Sequence, residues 1–324
     1  MRCWLGLPKG ASRPGRTSIA EAVITHDAME ETMTSLPSPK LSRRESLQAL
    51  AAAGVCTTAG LHWPTSARAQ APSPSDLKDE DIFQFALNLE YMEAEYYLRA
   101  TTGKGIDAAD LGSDPGPVKG GRKVPFQDKA IHEFADELAE NELAHVRFYR
   151  KTLGSHAVDR PEIDFEDGFA AVAKAAGLPE FDPFANDMNF LLGGMLFEDV
   201  GVTGYAGAAP LLQKKEFVEA AAAILAVEAY HMGMARSQLY QMGEKAQKAA
   251  NAVSAARDKL DGPQDKDQGI ERNGKANLVP ATPDGMVFRR TPQEVLRIVY
   301  LTDKAGVDSS GFYPKGMNGA LKST

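Results

Sequence analysis

Two short stretches, Glu142-Leu143-Ala144-His145 and Glu228-Ala229-Tyr230-His231, carry the same spacing of glutamate and histidine. Residues three apart lie on one face of an α-helix, so each stretch can present a carboxylate and an imidazole to one metal ion. The chain after residue 69 contains 18 Glu and 4 His, a composition that predicts roughly 0.3 such pairs by chance. The repeated spacing therefore indicates two helices that can hold metal.

Apolar residues recur at intervals of three and four around these stretches, as they do in amphipathic helices. The four segments with this pattern cover residues 79–102, 127–153, 184–208 and 214–242. A long connection, with a short helical stretch at 167–176, separates the second segment from the third. The pattern predicts an all-α fold, a four-helix bundle with a long crossover between its two helix pairs.

The first and third segments each carry a lone glutamate that is followed seven residues later by a tyrosine. The pairs are Glu90 with Tyr97 and Glu198 with Tyr205. Seven residues make two helical turns, so we expect each tyrosine on the same face as its glutamate. The chain thus presents Glu and Tyr, then Glu-x-x-His, and then both motifs a second time.

Six of these side chains fall on the apolar stripe of their own helix, where an ionised carboxylate without a partner is strongly unfavourable. They are Glu90, Glu142, His145, Glu198, Glu228 and His231. Four carboxylates and two imidazoles suit two divalent metal ions, and these ligands fit iron as well as manganese. The alternative is a vestigial site that is held together by hydrogen bonds.

Other polar residues of the same segments are expected near the six. Tyr97 and Tyr205 serve either as core tyrosines or as redox-active ones. Asp199 either hydrogen-bonds a ligand histidine, as partners of metal-bound histidines do, or lies at the surface. Glu93 and Glu95 are expected to be solvated or to support the ligands.

The third segment contains five glycines, at positions 193, 194, 201, 204 and 207. Each glycine inside a helix costs about 1 kcal/mol relative to alanine. A helix with this composition needs tertiary packing in order to form. Close approach of neighbouring elements is the expected use of the missing side chains.

The N-terminal 69 residues are predicted to be a leader. Arg43-Arg44 precedes an uncharged run at 47–61, and Ala67-Arg68-Ala69 places small residues where a signal peptidase cleaves. This order is typical of a twin-arginine signal, so we expect export by the twin-arginine machinery to the periplasm or the exterior. The run is too short and too weakly apolar for a permanent membrane span. A later start codon would make residues 1–32 a start-site error.

Composition and charge narrow the classes of function. The leader holds 8 of the 36 Lys and Arg and 5 of the 44 Asp and Glu. The remaining 255 residues therefore contain 28 basic and 39 acidic side chains. A net charge of −11 argues against nucleic acid or an anionic membrane surface as the main partner. Both cysteines, Cys3 and Cys56, also belong to the leader. The exported chain is therefore expected to have no thiol ligand, so carboxylates and imidazoles must hold any metal.

The remaining chain divides into a bundle, residues 70–242, and a C-terminal extension, residues 243–324, which is expected to pack on the bundle. Residues 244–260 are expected to form a helix, and Thr291-Pro292-Gln293-Glu294 is a capping box that begins another. Residues 311–319 form a terminus that is rich in glycine and aromatic residues.

Three stretches carry a resemblance to a known family: Phe85-Ala-Leu-Asn-Leu-Glu90-Tyr-Met-Glu-Ala-Glu95-Tyr-Tyr, Val202-Thr203-Gly204-Tyr205 and the 311–319 terminus. They resemble the desiccation-related branch of the ferritin-like di-metal carboxylate proteins, over nearly all of residues 80–319. The resemblance implies a four-helix bundle with the six glutamates and histidines in the di-metal positions. It implies no single reaction, because this branch is better marked by its sequence than by an activity.

Three functions agree with these patterns. The first is a di-iron or di-manganese redox enzyme for oxidative or desiccation stress, acting on dioxygen, peroxide or ferrous iron in a ferroxidase, peroxidase or catalase-like reaction. The second is a protective protein without enzymatic activity, in which the metal site is structural or vestigial. The third is iron storage, which the 103–126 loop and the C-terminal extension would obstruct by preventing close packing in a cage. Homo-oligomers remain open in each case.

Overall fold

The computed structural model describes residues 77–179 and 181–324, so the predicted leader and its twin-arginine motif lie outside the described residues. The helices are α1 (Asp79–Thr102), α2 (Lys129–Leu153), α3 (Phe165–Ala176), α4 (Asp187–Ala208), α5 (Lys215–Gln241), α6 (Glu244–Asp258) and α7 (Pro292–Val299). Helix α1 packs along α2 and α4 along α5, and α3 lies in the crossover between these pairs. The prediction of an all-α bundle with a long crossover is confirmed.

Local sequence explains where the helices begin and end. The Asp128 carboxylate accepts hydrogen bonds from two backbone N–H groups in the first turn of α2, and the Asn186 amide oxygen accepts one, from Asn189 of α4. Helix α1 ends at Gly103, whose φ of 79° is left-handed and favours glycine. Thr291 and Glu294 form the predicted capping box of α7. These caps satisfy backbone groups that a helix end leaves without partners.

Two pairs of short strands fasten the loops. Strand β1 (Val118–Lys119) pairs in parallel with β2 (Ile163–Asp164), which ties the loop before α2 to the crossover. Strand β3 (Glu271–Arg272) pairs antiparallel with β4 (Lys275–Ala276), with Glu271 opposite Ala276. Asn273 and Gly274 connect β3 to β4 with positive φ values of 55° and 74°, as a type I′ hairpin turn requires. The connection between α6 and α7 thus contains a hairpin.

The C-terminal extension lies against the bundle through its aromatic terminus. The Tyr313 hydroxyl donates a hydrogen bond to the carbonyl oxygen of Asn88 in α1, over 2.9 Å. The Phe312 ring packs edge-on against Phe169 of α3 and Phe197 of α4. At Gly207 of α4 a Cβ would overlap the backbone carbonyl of Arg290. One glycine of α4 is therefore explained by the approach of the extension itself.

Helix α5 is the one described helix that is long and apolar enough to cross a membrane by length and composition, with a mean hydropathy of 1.2 over 18 residues. Core helices of soluble proteins meet the same criterion. In this structure α5 is a bundle helix that packs against α4 and carries buried Glu228, His231 and Arg236.

Candidate metal centre

The four bundle helices bring all six predicted ligands together in the core. Helices α1 and α4 contribute one glutamate each, and α2 and α5 contribute one Glu-x-x-His motif each. The glutamates are fully buried, while His145 and His231 keep 8% and 5% of their surface exposed. Because an isolated buried carboxylate is strongly unfavourable, this convergence requires compensating positive charge.

Two sets of four ligand atoms can each surround one metal ion, with the atoms of a set within 4.8 Å of one another. The first set is Glu90, Glu142, His145 and Glu228, and the second is Glu142, Glu198, Glu228 and His231. Glu142 and Glu228 belong to both sets, so they would be the bridging ligands of two ions. Glu90 and Glu198 each belong to one set and would be terminal ligands, a distinction that the sequence leaves open.

Contacts between the histidines and glutamates show the same two-fold arrangement. The Nδ1 atom of His145 lies 3.1 Å from an oxygen of Glu90 and 3.1 Å from an oxygen of Glu142. The Nδ1 atom of His231 lies 3.0 Å from Glu142 and 3.4 Å from Glu198. Each imidazole thus faces one terminal and one bridging carboxylate, which are the groups that would share its metal.

Glu228 provides the test of whether the site fits a metal. Both of its carboxylate oxygens are buried and have no hydrogen-bond partner. A buried polar atom without a partner costs about 1–3 kcal/mol, and a charged one costs more. Coordination of a cation would satisfy both oxygens, so the carboxylates and imidazoles of this cluster fit divalent metal.

Without bound cations, protons would balance the negative charge of the buried carboxylates. Burial raises the pKa of Glu90 to about 7, and burial with neighbouring carboxylates raises that of Glu228 well above its usual value. Burial would lower the pKa of His145, but Glu90 and Glu142 outweigh it and raise this pKa to about 11. Burial would also lower the pKa of His231, but Glu198 and Glu142 outweigh it and raise this pKa to about 10. Both histidines therefore carry protons at neutral pH without metal.

Tyrosines hold the two terminal carboxylates in a crossed pattern. Tyr97 of α1 donates a hydrogen bond of 2.5 Å to Glu198 of α4, and Tyr205 of α4 donates one to Glu90 of α1. Each tyrosine therefore supports the glutamate of the other helix. The Tyr149 hydroxyl lies 2.7 Å from that of Tyr205 and extends the chain on one side. Tyr149 is not among the predicted site residues, although it follows Glu142 by seven residues, as Tyr97 follows Glu90.

Asp199 has neither of the two roles expected from the sequence. It is 5% exposed, so it does not lie at the surface, and its bonded partners are arginines, not a ligand histidine. Its Oδ2 accepts hydrogen bonds from Arg236 at 2.8 Å and from Arg257 at 2.5 Å. Arg236 follows His231 on the buried side of α5, and Arg257 comes from α6. Asp199 therefore ties the helix that carries Glu198 to the C-terminal extension.

Arg257 belongs to a buried ionic cluster that sequence reasoning missed. Besides Asp199, it donates to the carbonyl oxygens of Met195 and Leu196 at 2.8 and 3.0 Å and pairs with Asp267 at 2.8 Å. The remaining members are Arg236, Arg290 and Asp261. The three arginines are spread over α5, α6 and the segment before α7. They follow no common periodic pattern, so no sequence signal distinguished them from surface charges.

Glu93 and Glu95 are buried, so of their two expected roles, solvation or support of the ligands, the first is excluded. Glu95 pairs with Arg99 and Arg160. Glu93 is 4% exposed and belongs to neither ligand set. Across the core lies Gly201, where a Cβ would come within 2.9 Å of a Glu228 oxygen and 3.6 Å of a Glu93 oxygen. Glu93 follows Glu90 on α1 by three residues, and Gly201 follows Glu198 on α4 by three. The position on α1 thus carries a carboxylate, and the equivalent position on α4 has no side chain.

Comparisons with known proteins agree with this geometry. The family model for the ferritin-like domain matches residues 78–241. Ferritin-like catalase Nec2 of Nesocodon mauritianus is 29% identical over 269 residues, covering 76% of this chain and 85% of the relative. Desiccation-related protein PCC13-62 of Craterostigma plantagineum is 32% identical over 244 residues, covering 67% of this chain and 76% of the relative. No solved structure matches. On these matches and on its helical bundle, the chain belongs to the ferritin-like domain family.

Proposed function

We propose that this protein binds two iron or two manganese ions in the bundle core and decomposes hydrogen peroxide as a catalase-like oxidoreductase. The observation that carries the proposal is the pair of four-ligand sets that share Glu142 and Glu228. The similarity to a protein named ferritin-like catalase supports peroxide over the other oxidants that the sequence left open.

The chain's own residues would prepare the site in three ways. Glu142 and Glu228 would hold the metal ions, since they belong to both ligand sets, and Tyr97 and Tyr205 fix Glu198 and Glu90 through crossed hydrogen bonds. The core excludes bulk water, since all four glutamates are fully buried. Metal ions bound there, able to change between divalent and trivalent states, would supply the two electrons that reduce one peroxide to two waters and would regain them as a second peroxide is oxidised to dioxygen. The two protons released by the second peroxide balance the two consumed by the first.

Export belongs to the same proposal and rests on the leader motif alone. Twin-arginine substrates are generally translocated in a folded state, so we propose that metal enters the bundle in the cytoplasm and is carried out with the protein. Replacing Arg43-Arg44 by two lysines is expected to retain the protein, with its metal, in the cytoplasm. Recovery of metal-free protein from the cytoplasm of unmodified cells would contradict this order of events.

The test of the proposed function combines elemental analysis with measurement of dioxygen release. Wild-type protein is expected to hold about two transition-metal ions per chain, and to release dioxygen from hydrogen peroxide. Glu228→Gln should lose both properties, because it removes a bridging carboxylate. Glu137→Gln is the matched control on the exposed face of α2 and should keep both. Wild-type protein that takes up no iron or manganese, or that holds either metal and releases no dioxygen, would refute the proposal.

A protective role without enzymatic activity is the second candidate. One relative is named a desiccation-related protein, and the C-terminal extension contributes none of the six predicted ligands. Survival of a deletion strain after drying separates the two candidates. If the Glu228→Gln protein restores survival as well as the wild type does, protection does not need the metal centre.

A further inference from the structure

Helix α5 exposes an uncharged, apolar surface on the side that faces away from the bundle core. Only 28% of its most apolar 18-residue window is buried, so α5 lacks the cover that a core helix has. Between Glu219 and Gln241 the carboxylate, imidazole and guanidinium groups of α5 are those of Glu228, His231 and Arg236, and all three are buried. The outward side therefore carries no charge over a length of about 33 Å, at 1.5 Å per residue.

Exposed large hydrophobic side chains are concentrated around this surface. Six of the seven in the described chain lie on α5, at its end or in the loop after the β3–β4 hairpin. They are Val218, Tyr230, Met234, Met242, Val279 and Met286. Arg236 fastens that loop to α5, because it donates a hydrogen bond of 2.9 Å to the Asn277 carbonyl oxygen. Exposed apolar side chains that cluster in this way mark an interaction surface.

Gly233, on the outward side of α5, has no packing reason within the chain to be a glycine. A glycine inside a helix costs about 1 kcal/mol relative to alanine. At each of the other glycines inside the described helices, an added Cβ would meet an atom of this chain, as at Gly204, where the Val295 side chain is 3.3 Å away. At Gly233 an added Cβ would meet nothing within 4 Å. Close approach of a second molecule explains the missing side chain.

We propose that the outward face of α5 pairs antiparallel with the same face of a second copy of this chain, about a two-fold axis level with residues 231 and 232. Tyr230 of each copy then lies over Gly233 of the other, and Met234 lies over Ala229, so each large side chain meets a small one. A two-fold interface must be complementary to itself, and this sequence pattern is. The pairing does not depend on the proposed function, because Glu228 and His231 lie on the buried side of the helix.

The size of the face indicates a weak dimer. A surface about 33 Å long and 10–12 Å wide covers roughly 330–400 Å² on each copy, so the two copies bury about 660–800 Å² along α5. The loop with Val279 and Met286 adds area beside the helix. A specific interface buries at least about 1,000 Å² in total, most of which α5 supplies, and an interface of this size predicts a dissociation constant of about 1–100 μM.

Sedimentation equilibrium of the full chain measures the association. The mass of the wild type is expected to rise with concentration towards twice the 34.9 kDa of one chain. Ala226→Arg, which buries an unpaired charge in the middle of the face, should raise the dissociation constant at least about tenfold. Ala171→Arg, on an exposed position of α3, is the matched control and should leave it unchanged. Gly233→Ala should weaken the dimer although it stabilises the helix, because its Cβ would come between the two copies.

Two outcomes of this experiment would overturn the proposal. One is a wild type that stays monomeric at several times the upper end of the expected range. The other is an association that Ala226→Arg leaves unchanged or that Ala171→Arg weakens equally. Binding of monomeric wild type to phosphatidylcholine vesicles, abolished by Ala226→Arg, would assign the face to lipid and would also overturn the pairing.

Disulfide trapping tests the antiparallel register. With Cys3 and Cys56 replaced by serine, the double variant Ala226→Cys with Ser237→Cys should form a covalent dimer on oxidation with diamide, because these positions face each other across the axis. Ser237→Cys alone should not, since its two copies lie about 16 Å apart along the helices and a disulfide needs Cα atoms within about 7 Å. A double variant that does not cross-link, or a single variant that cross-links equally well, would refute the register.

Discussion

Replacement of Arg257 by methionine tests how strongly the C-terminal extension holds the metal-binding helices. The Arg257 side chain is 2% exposed and forms ion pairs with Asp199 and Asp267. It also donates to two carbonyl oxygens of α4, those of Met195 and Leu196. Methionine keeps most of the apolar volume but removes the charge, so the variant isolates the ionic contribution.

The expected loss follows from what the substitution leaves behind. The buried cluster would retain Asp199, Asp261 and Asp267 against Arg236 and Arg290, an excess of one negative charge. Removal of one partner from a buried ion pair costs about 3–5 kcal/mol, because the remaining charge stays desolvated. In a domain of this size each kcal/mol lowers the Tm by about 2–4 °C, so we expect a decrease of about 6–20 °C.

Thermal unfolding of metal-free protein measures this decrease. Arg122→Met is the matched control, because Arg122 and Asp182 form an exposed pair with side chains 58% and 42% accessible. Such a pair contributes about 0–1 kcal/mol, so this control should stay within about 4 °C of the wild type. The Arg257 variant should also bind metal more weakly, since Asp199 directly follows Glu198. A Tm for Arg257→Met that equals the control's would refute the reasoning that the cluster anchors α4.

The remaining predictions concern the metal ligands and the packing around them. His145 and His231 have pKa values raised from 6.5 to about 11 and 10, so their contribution to the stability of the metal-free protein is complete below pH 6.5 and is lost as pH rises through 10 to 11. Metal uptake at pH 7 should therefore release at least two protons per chain, which calorimetry in buffers of different ionisation enthalpy measures; a buffer-independent enthalpy would contradict this. Tyr97→Phe should lower the free energy of unfolding by about 1.5–3 kcal/mol, because it removes a hydrogen bond to the Glu198 carboxylate; denaturant titration checks the value. The same titration should show that Gly233→Ala stabilises the protein by about 0.5–1 kcal/mol, because the added Cβ meets no neighbouring atom. Gly193→Ala should destabilise the protein by about 1–3 kcal/mol, because its Cβ would overlap the Tyr96 hydroxyl. Equal effects of the two substitutions would argue against close packing at Gly193.

The fold followed from the sequence where local physics determines it. Repeats of three and four residues predicted the four bundle helices within about three residues of their observed ends, and Gly103 and Thr291 were recognisable as helix boundaries. The convergence of the six polar residues also followed, because each lies on a buried stripe at helical spacing. Whether they bind metal remains a prediction that elemental analysis must test.

Contacts between distant parts of the chain could not be predicted in this way. Asp199 and Arg257 are 58 residues apart and meet only when α6 packs on α4, and no periodic pattern connects them. The crossed tyrosine hydrogen bonds could not be predicted for a similar reason. Spacing along one helix gives the face on which Tyr97 lies, but it does not give the partner of Tyr97 on another helix. The β3–β4 hairpin carries the local signal Asn273-Gly274, and its polar surroundings concealed it.

The crossed tyrosine bonds bear on how much of the chain must be synthesised before the site can form. Tyr97 and Glu198 are separated by 101 residues, and Glu90 and Tyr205 by 115. The entropy of closing such long loops must be overcome before either contact forms. A chain that stops before Glu228 lacks one residue that both ligand sets share. If the proposed metal centre forms, metal retention would therefore distinguish finished chains from chains truncated before Glu228.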